Sequence, residues 1–103
     1  MKGINDLMRQ AQIMQRKMAK MEEELAEKTV EATAGGGMVT VTATGGMEIR
    51  SIVIDKTVVD PEDVSMLQDL VLAATNEALK QAKEMKEQEM GSLAGGMKLP
   101  GMF

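Results

Sequence analysis

The sequence of 103 residues contains no cysteine, no histidine, no tryptophan and no tyrosine, and its one phenylalanine is Phe103. Without cysteine there are no structural disulfides and no thiolate sites. Without histidine there is no imidazole acid–base chemistry and no imidazole metal ligand. The shortage of aromatics removes the platforms on which unpaired bases stack. No apolar run approaches the roughly 18 residues that a membrane helix needs. Lys2 is not followed by an apolar stretch, so no secretory signal is expected and the protein is read as cytosolic.

Twelve methionines are present. The core must be made of Met, Val, Ile, Leu and Ala. Methionine fills gaps without fixing a shape, so such a core is adaptable and weakly specified. The length suggests one domain. A monomer of this size buries only about 60–65 % of the surface its unfolded chain exposes. A second chain would help to complete the core, and an oligomer is expected.

The stretch Val30 to Ala43 organises the chain, above all Gly35-Gly36-Gly37-Met38-Val39-Thr40-Val41. Here the apolar period changes from about 3.6 to 2. Val39, Val41 and Ala43 alternate with Thr40, Thr42 and Thr44, the pattern of a half-buried strand. The glycine triplet permits positive φ and close backbone approach. It is read as a corner at a sheet edge. A phosphate-binding loop would need a following Lys-Ser/Thr pair and a helix.

Before this stretch, a helix is predicted from Ile4 to Lys28. Ile4, Leu7, Ala11, Met14, Met18, Met21 and Leu25 recur at alternating spacings of 3 and 4. That is an a/d seam on a rod of roughly 37 Å, and it calls for a partner along much of its length. Met8 and Ile13 suggest contact on a second side. Arg9, Arg16 and Lys20 share another face, extended by Lys2 and flanked by Lys17. No acid lies between Arg9 and Lys20 to pair with them. Glu22, Glu23, Glu24 and Glu27 read as solvated surface.

After it, three strands are predicted: Thr29 to Ala34, Met38 to Thr44, and Met47 to Asp55. Thr44-Gly45-Gly46-Met47 reads as a tight hairpin whose glycines supply positive φ. In the third strand Ile52 and Ile54 share one face, and Ile49, Ser51 and Val53 the other. Apolar residues on both faces suggest a helical cover on one side and a second subunit on the other.

A second helix is predicted to start with Asp60 as N-cap and Pro61 at the first helical position. Its apolar face comprises Val64, Leu67, Leu70, Val71, Ala74, Ala78, Ala82 and Met85. Asn76, beside this face, reads as a structural hydrogen-bonding residue. Lys80, Lys83 and Lys86 recur every three residues, interspersed with Glu84, Glu87 and Glu89. Gly91 is expected to end the helix, leaving a flexible Gly- and Met-rich tail over 91–103 behind a single domain over 1–90.

The formal net charge is −4, yet its distribution is uneven. Residues 1–20 carry five bases and one acid, whereas residues 57–77 carry five acids and no base. Positive charge lies at the outer parts of the helices. No serine has a histidine partner, so triad chemistry is absent. Glu48, Asp55, Asp60, Glu62 and Asp63 match no calcium-loop spacing, and capping accounts for three of them. No enzyme, metal or cofactor is expected. Two functions remain open: a duplex-DNA binder using basic helix faces on phosphates, or a structural or regulatory adaptor that binds a protein through its heptad seam and tail.

The combined pattern resembles the YbaB/EbfC nucleoid-associated DNA-binding proteins of bacteria. The matching residues are Gly35 to Val41, Gly45, Ile52-Val53-Ile54-Asp55, Leu67-Gln68-Asp69-Leu70 and Ala73 to Ala78. Met8 to Gln12 with Met18, and Met90 with Gly95-Gly96-Met97-Lys98-Leu99-Pro100-Gly101, extend the match to nearly the whole chain. The resemblance implies an α+β subunit of order α-β-β-β-α with a small antiparallel sheet, a homodimer formed through the central region, and helical arms that grip DNA. It implies double-stranded DNA as partner, little sequence specificity, a nucleoid location in the cytoplasm, and a part in chromosome organisation or gene expression. The charge argument assigns the DNA contacts to Arg9, Arg16, Lys17, Lys20, Lys80, Lys83 and Lys86.

Overall fold

The computed structural model describes residues 2–96. Helix α1 (Lys2–Glu27) leads into strands β1 (Thr29–Ala34), β2 (Val39–Thr44) and β3 (Ile49–Ile54). A 3-10 turn over Lys56–Val58 follows, then helix α2 (Val64–Gly96). The strands form one antiparallel sheet in the order β1-β2-β3. The fold is therefore the expected α-β-β-β-α subunit. It is drawn out to 73 × 25 × 16 Å, with a radius of gyration of 20.0 Å. A compact domain of this length has a radius near ~13 Å, so the helices project well beyond the core.

Strand register decides which side chains meet α2. Val30, Ala32 and Ala34 lie opposite Ala43, Val41 and Val39, and these share one face of the sheet. Onto that face α2 lays Ala74, Ala78 and Ala82, all fully buried. Four-residue spacing puts the three alanines on one stripe, and their short side chains let helix and sheet approach closely. Leu67, Leu70 and Val71 pack at the margin. The other face presents Thr29, Glu31, Thr33, Thr40 and Thr42, the polar side of a sheet buried on one face.

The β1–β2 connection bears out the expected glycine corner. Gly35, Gly36 and Gly37 all have positive φ, and a Cβ on Gly35 would lie 2.9 Å from the Leu70 side chain. The β2–β3 turn corrects the sequence reading. Gly45 and Gly46 are not in the positive-φ region; the residue there is Met47, at φ 64°. The Met47 N–H donates to the Thr44 carbonyl and the Thr44 N–H to the Glu48 carbonyl, closing a three-residue loop whose left-handed position falls on Met47. Gly45 serves closeness instead: a Cβ there would lie 2.7 Å from the Leu25 carbonyl oxygen and 2.8 Å from its side chain.

Three further expectations are corrected. Ile49 does not share a face with Ser51 and Val53. The register shifts between Thr42 and Ala43, so Ile49 pairs with Ala43 and packs against the core. The expected helical cover over β3 is not made, because α2 sits over β1 and β2; Ile52 and Ile54 remain 45 % and 37 % exposed. The N-cap of α2 is Asp63, whose carboxylate accepts from the Met66 N–H, while Asp60 accepts from the Glu62 N–H in the preceding turn around Pro61. Asp55 caps the 3-10 turn in the same manner. Hydrogen bonds from the Thr57 N–H and hydroxyl hold its carboxyl below the ordinary value of 3.8.

At the far end, α2 runs through Gly91 to Gly96, past the expected stop. Half-buried Met90 and Leu93 flank Gly91. Of the expected tail, residues 97–103 lie outside the described residues.

One substitution at two glycines separates these roles. Gly91→Ala, with nothing within 4 Å of the new Cβ, is expected to slow amide exchange around residue 91 and to stabilise the helix by up to about 1 kcal/mol. Gly45→Ala is expected to lower the denaturation free energy by about 1–3 kcal/mol, because the backbone of α1 must move.

Candidate functional site

The outer arm is made by α1 and the last turns of α2, which run antiparallel from a common base. At that base Leu25, 2 % exposed, fills the space beside Gly45, and the Gly45 N–H donates to the Lys28 carbonyl. Arg50, next to the register shift, donates to the Ala26 carbonyl at 3.2 Å. These bonds satisfy backbone groups that the end of α1 would leave open. Lys28 donates to Glu89 at 2.6 Å and joins the two helices across 61 residues of sequence.

The cations from the sequence reading fall into four places. Arg9 and Arg16 stand on the free outer length of α1, both exposed. Lys17 and Lys20 are also exposed and line a cleft of about 340 Å³ with Met21, Glu24, Glu89 and Leu93. Lys83 and Lys86 line a second cleft, about 480 Å³, with Met47, Glu87 and Met90. Lys80 is exposed on α2 and lines neither cleft. The structure thus brings Lys17 and Lys20 to the last turns of α2, and Lys83 and Lys86 to the β2–β3 turn. Glu22 and Glu24 lie between the groups at the base. None of the seven cations is paired with a described acid.

Arg9, Arg16 and Lys20 span about 17 Å of helix at ~1.5 Å per residue. Exposed cations over this length suit a row of phosphates rather than one compact anion. Lys28 and Arg50 were not legible as site residues. Lys28 stands within an acid run, and only the fold sets it against Glu89. That bond, with the charges of Glu89 and Glu24, raises the Lys28 pKa above its ordinary 10.5 against a smaller effect of desolvation. The pair's contribution is therefore complete below that value and is lost as pH rises past the raised one. Asn76, read as structural, is exposed on α2. Among the described residues, no group of three or more acidic or other ligating side chains is placed to hold a metal ion.

A separate apolar surface lies beside the sheet, on the first turns of α2 and on β3. Leu67, Gln68, Val71, Leu72 and Thr75 of α2 line a cleft of about 440 Å³. Leu72, Val64 and Met66 are 60 %, 50 % and 39 % exposed. Ile52 and Ile54 share the helix-facing side of the sheet, and β3 is an edge strand among the described residues.

The family model described as the YbaB/EbfC DNA-binding family matches residues 1–97. A nucleoid-associated protein of Clostridium novyi is 59 % identical over 101 residues, covering 98 % of this chain and 89 % of that one. One from Acetivibrio thermocellus is 58 % identical over 102 residues, covering 98 % and 90 %. The crystal structure of an uncharacterized protein from Helicobacter pylori superposes with a TM-score of 0.64 at 26 % identity, over 85 % of this chain and 98 % of that one.

The Lys28–Glu89 pair gives the arm a salt-sensitive joint. Glu89→Ala is expected to speed amide exchange at Leu93 and Ala94 in low salt, and the difference from wild type should shrink as salt rises above about 0.5 M. The global unfolding midpoint should barely move, since both side chains are partly exposed.

Proposed function

Because the chain belongs to the YbaB/EbfC DNA-binding family, we propose that it binds double-stranded DNA as a homodimer, laying the basic residues of its projecting helices on phosphates. The carrying observation is the exposed row Arg9, Arg16 and Lys20 on α1, with no described acid paired to it. Lys17, Lys80, Lys83 and Lys86 supply further contacts on the flanks. Phosphate contacts fix orientation without reading sequence, so specificity is low. The scarcity of aromatics supports a duplex over a stacked single strand. The net charge of −4 makes each dimer a modest binder, and coating by many dimers compensates. Relatives named as nucleoid-associated support a nucleoid location, in the cytoplasm, and a role in chromosome organisation.

The dimer reading rests on the open apolar surface. Ile52 and Ile54 are exposed on the edge strand β3, and Val64 and Leu72 on α2. A second copy pairing through this central region covers them and protects the β3 edge. It also sets two pairs of arms on one assembly.

Affinity for a duplex measured at about 50 and 200 mM salt tests the reading. Six to ten phosphate contacts predict a fall of roughly 10³–10⁵ across that range. In the variant Arg9/Arg16/Lys20→Glu the slope of log affinity against log salt should flatten by about 0.9 for each phosphate that is no longer neutralised. Unchanged affinity in a variant that remains dimeric would remove α1 from the interface. Absence of binding at low salt would favour the adaptor. Ile52→Asp with Leu72→Asp is expected to give a monomer in sedimentation and to weaken DNA binding, because bivalent attachment is abolished.

A further inference from the structure

The seam of α1 is covered at its inner end and open at its outer end. Leu25 and Met21 are 2 % and 8 % exposed, whereas Ile4, Leu7 and Met8 are 59 %, 68 % and 60 % exposed. Leu25 stands against Gly45, and Met21 lines a cleft with Leu93 of α2. Outward of these residues the same heptad runs on, with Ile4 and Ala11 at a positions and Leu7 and Met14 at d positions. An a/d seam is the surface that one helix presents to another, so the open length calls for a helix.

Its borders say which helix. The e and g positions along the open length are Gly3, Met8, Gln10 and Gln15, and none carries charge. A partner selected by charge would be met by charges at these positions. A second copy of α1 brings the same neutral border and meets no repulsion there. Arg9 and Arg16 both fall at f, on the side of the helix opposite the seam, and both are exposed. The sizes of the seam residues agree as well. In an antiparallel pair a positions layer against d positions, so Ile4 meets the partner's Met14, and Leu7 meets the partner's Ala11. Twofold symmetry repeats both layers. The same register sets Met8 against the partner's Met8 and Gln10 against the partner's Gln10. It thereby gives a contact to Met8, which lies outside the a/d seam.

We propose that the outer seam of α1, from Ile4 to Met14, pairs antiparallel with the same seam of a neighbouring dimer. Antiparallel pairing overlaps only the open lengths and sets the two bases at opposite ends. The paired length is about 15 Å at ~1.5 Å per residue. Three turns of helix make a small contact, of the weak and reversible kind. Dimers held on one duplex meet at high effective concentration, and the contact then links neighbours. This consequence rests on the DNA-binding reading above; the pairing itself does not. Arg9 and Arg16 of both arms face away from the seam and stay free for phosphates.

Sedimentation without DNA tests the pairing, over about 10 μM to 1 mM, the range of a weak contact. Wild type should pass from dimer to larger species across this range. Met8→Glu with Gln10→Glu sets like charges face to face and should weaken that step by about tenfold or more. Met8→Lys with Gln10→Lys should do the same. An equal mixture of the two variants should recover association at low salt and lose it again above about 0.5 M. Glutamate and lysine are both good helix formers, so the arm keeps its helix, which circular dichroism checks. Gln12→Glu and Gln12→Lys, at a position off the seam and its borders, should associate as wild type does. A wild type that stays dimeric throughout would overturn the proposal. So would an acidic variant that associates like wild type, a mixture that gains nothing over its parts, or equal losses in the Gln12 variants. The smallest species is sized in the same runs, so a failure of the central interface shows there separately.

Discussion

The arm depends on one close approach: Leu25 of α1 against Gly45 in the β2–β3 turn. No other residue fits at position 45, because a Cβ would lie within 3 Å of both backbone and side chain of Leu25. That approach fixes where α1 leaves the sheet. Thr44 helps to shape the turn, its hydroxyl accepting from the N–H groups of Gly46 and Glu48. The turn in turn places Met47 in a left-handed conformation, which a long unbranched side chain occupies at some cost. Glycine is absent where conformation would favour it and present where space demands it. Closeness, not φ, governs this corner.

From that base the charge pattern acquires meaning. An exposed cation on a helix is ordinarily just solvated, and exposed ion pairs contribute little. Here the acids collect at the base and centre, and the unpaired cations stand outward. Lys28 marks the change: it is used internally, on Glu89, to join the helices. Along residues 2–20 the arm carries five basic residues against one acid, Asp6. Separation along a long axis lets a chain of net negative charge present a positive end, and at physiological salt the acids more than about 8 Å away are largely screened.

Much of this was legible in the sequence. The seven-residue repeat of α1, the change of period at Val39 and the alanine stripe at 74, 78 and 82 each carry a periodicity that one element alone satisfies. The misses share a cause. A register shift at Arg50 leaves no mark in composition, yet it moves Ile49 to the opposite face. Asp60 and Asp63 are both good caps, and which one begins α2 depends on where the chain must turn to reach the sheet. Gly91 reads as a stop, but half-buried Met90 and Leu93 beside it support continuation, and such packing is invisible until α1 is in place. The row of cations was legible, whereas its division between two clefts was not, because the second cleft is built by a turn from another part of the chain.

The distribution of apolar surface leads to the same view of the molecule. A three-stranded sheet with one helix across two of its strands cannot cover its third strand. A 73 Å chain with a core this small leaves apolar residues exposed on the outer part of α1 and beside the sheet. The two exposed surfaces differ in kind. The central one combines a sheet edge with a helix face. The outer one is a narrow stripe on one helix, Ile4, Leu7 and Met8. Arg9 and Arg16 stand on the outer length of α1, away from the central surface.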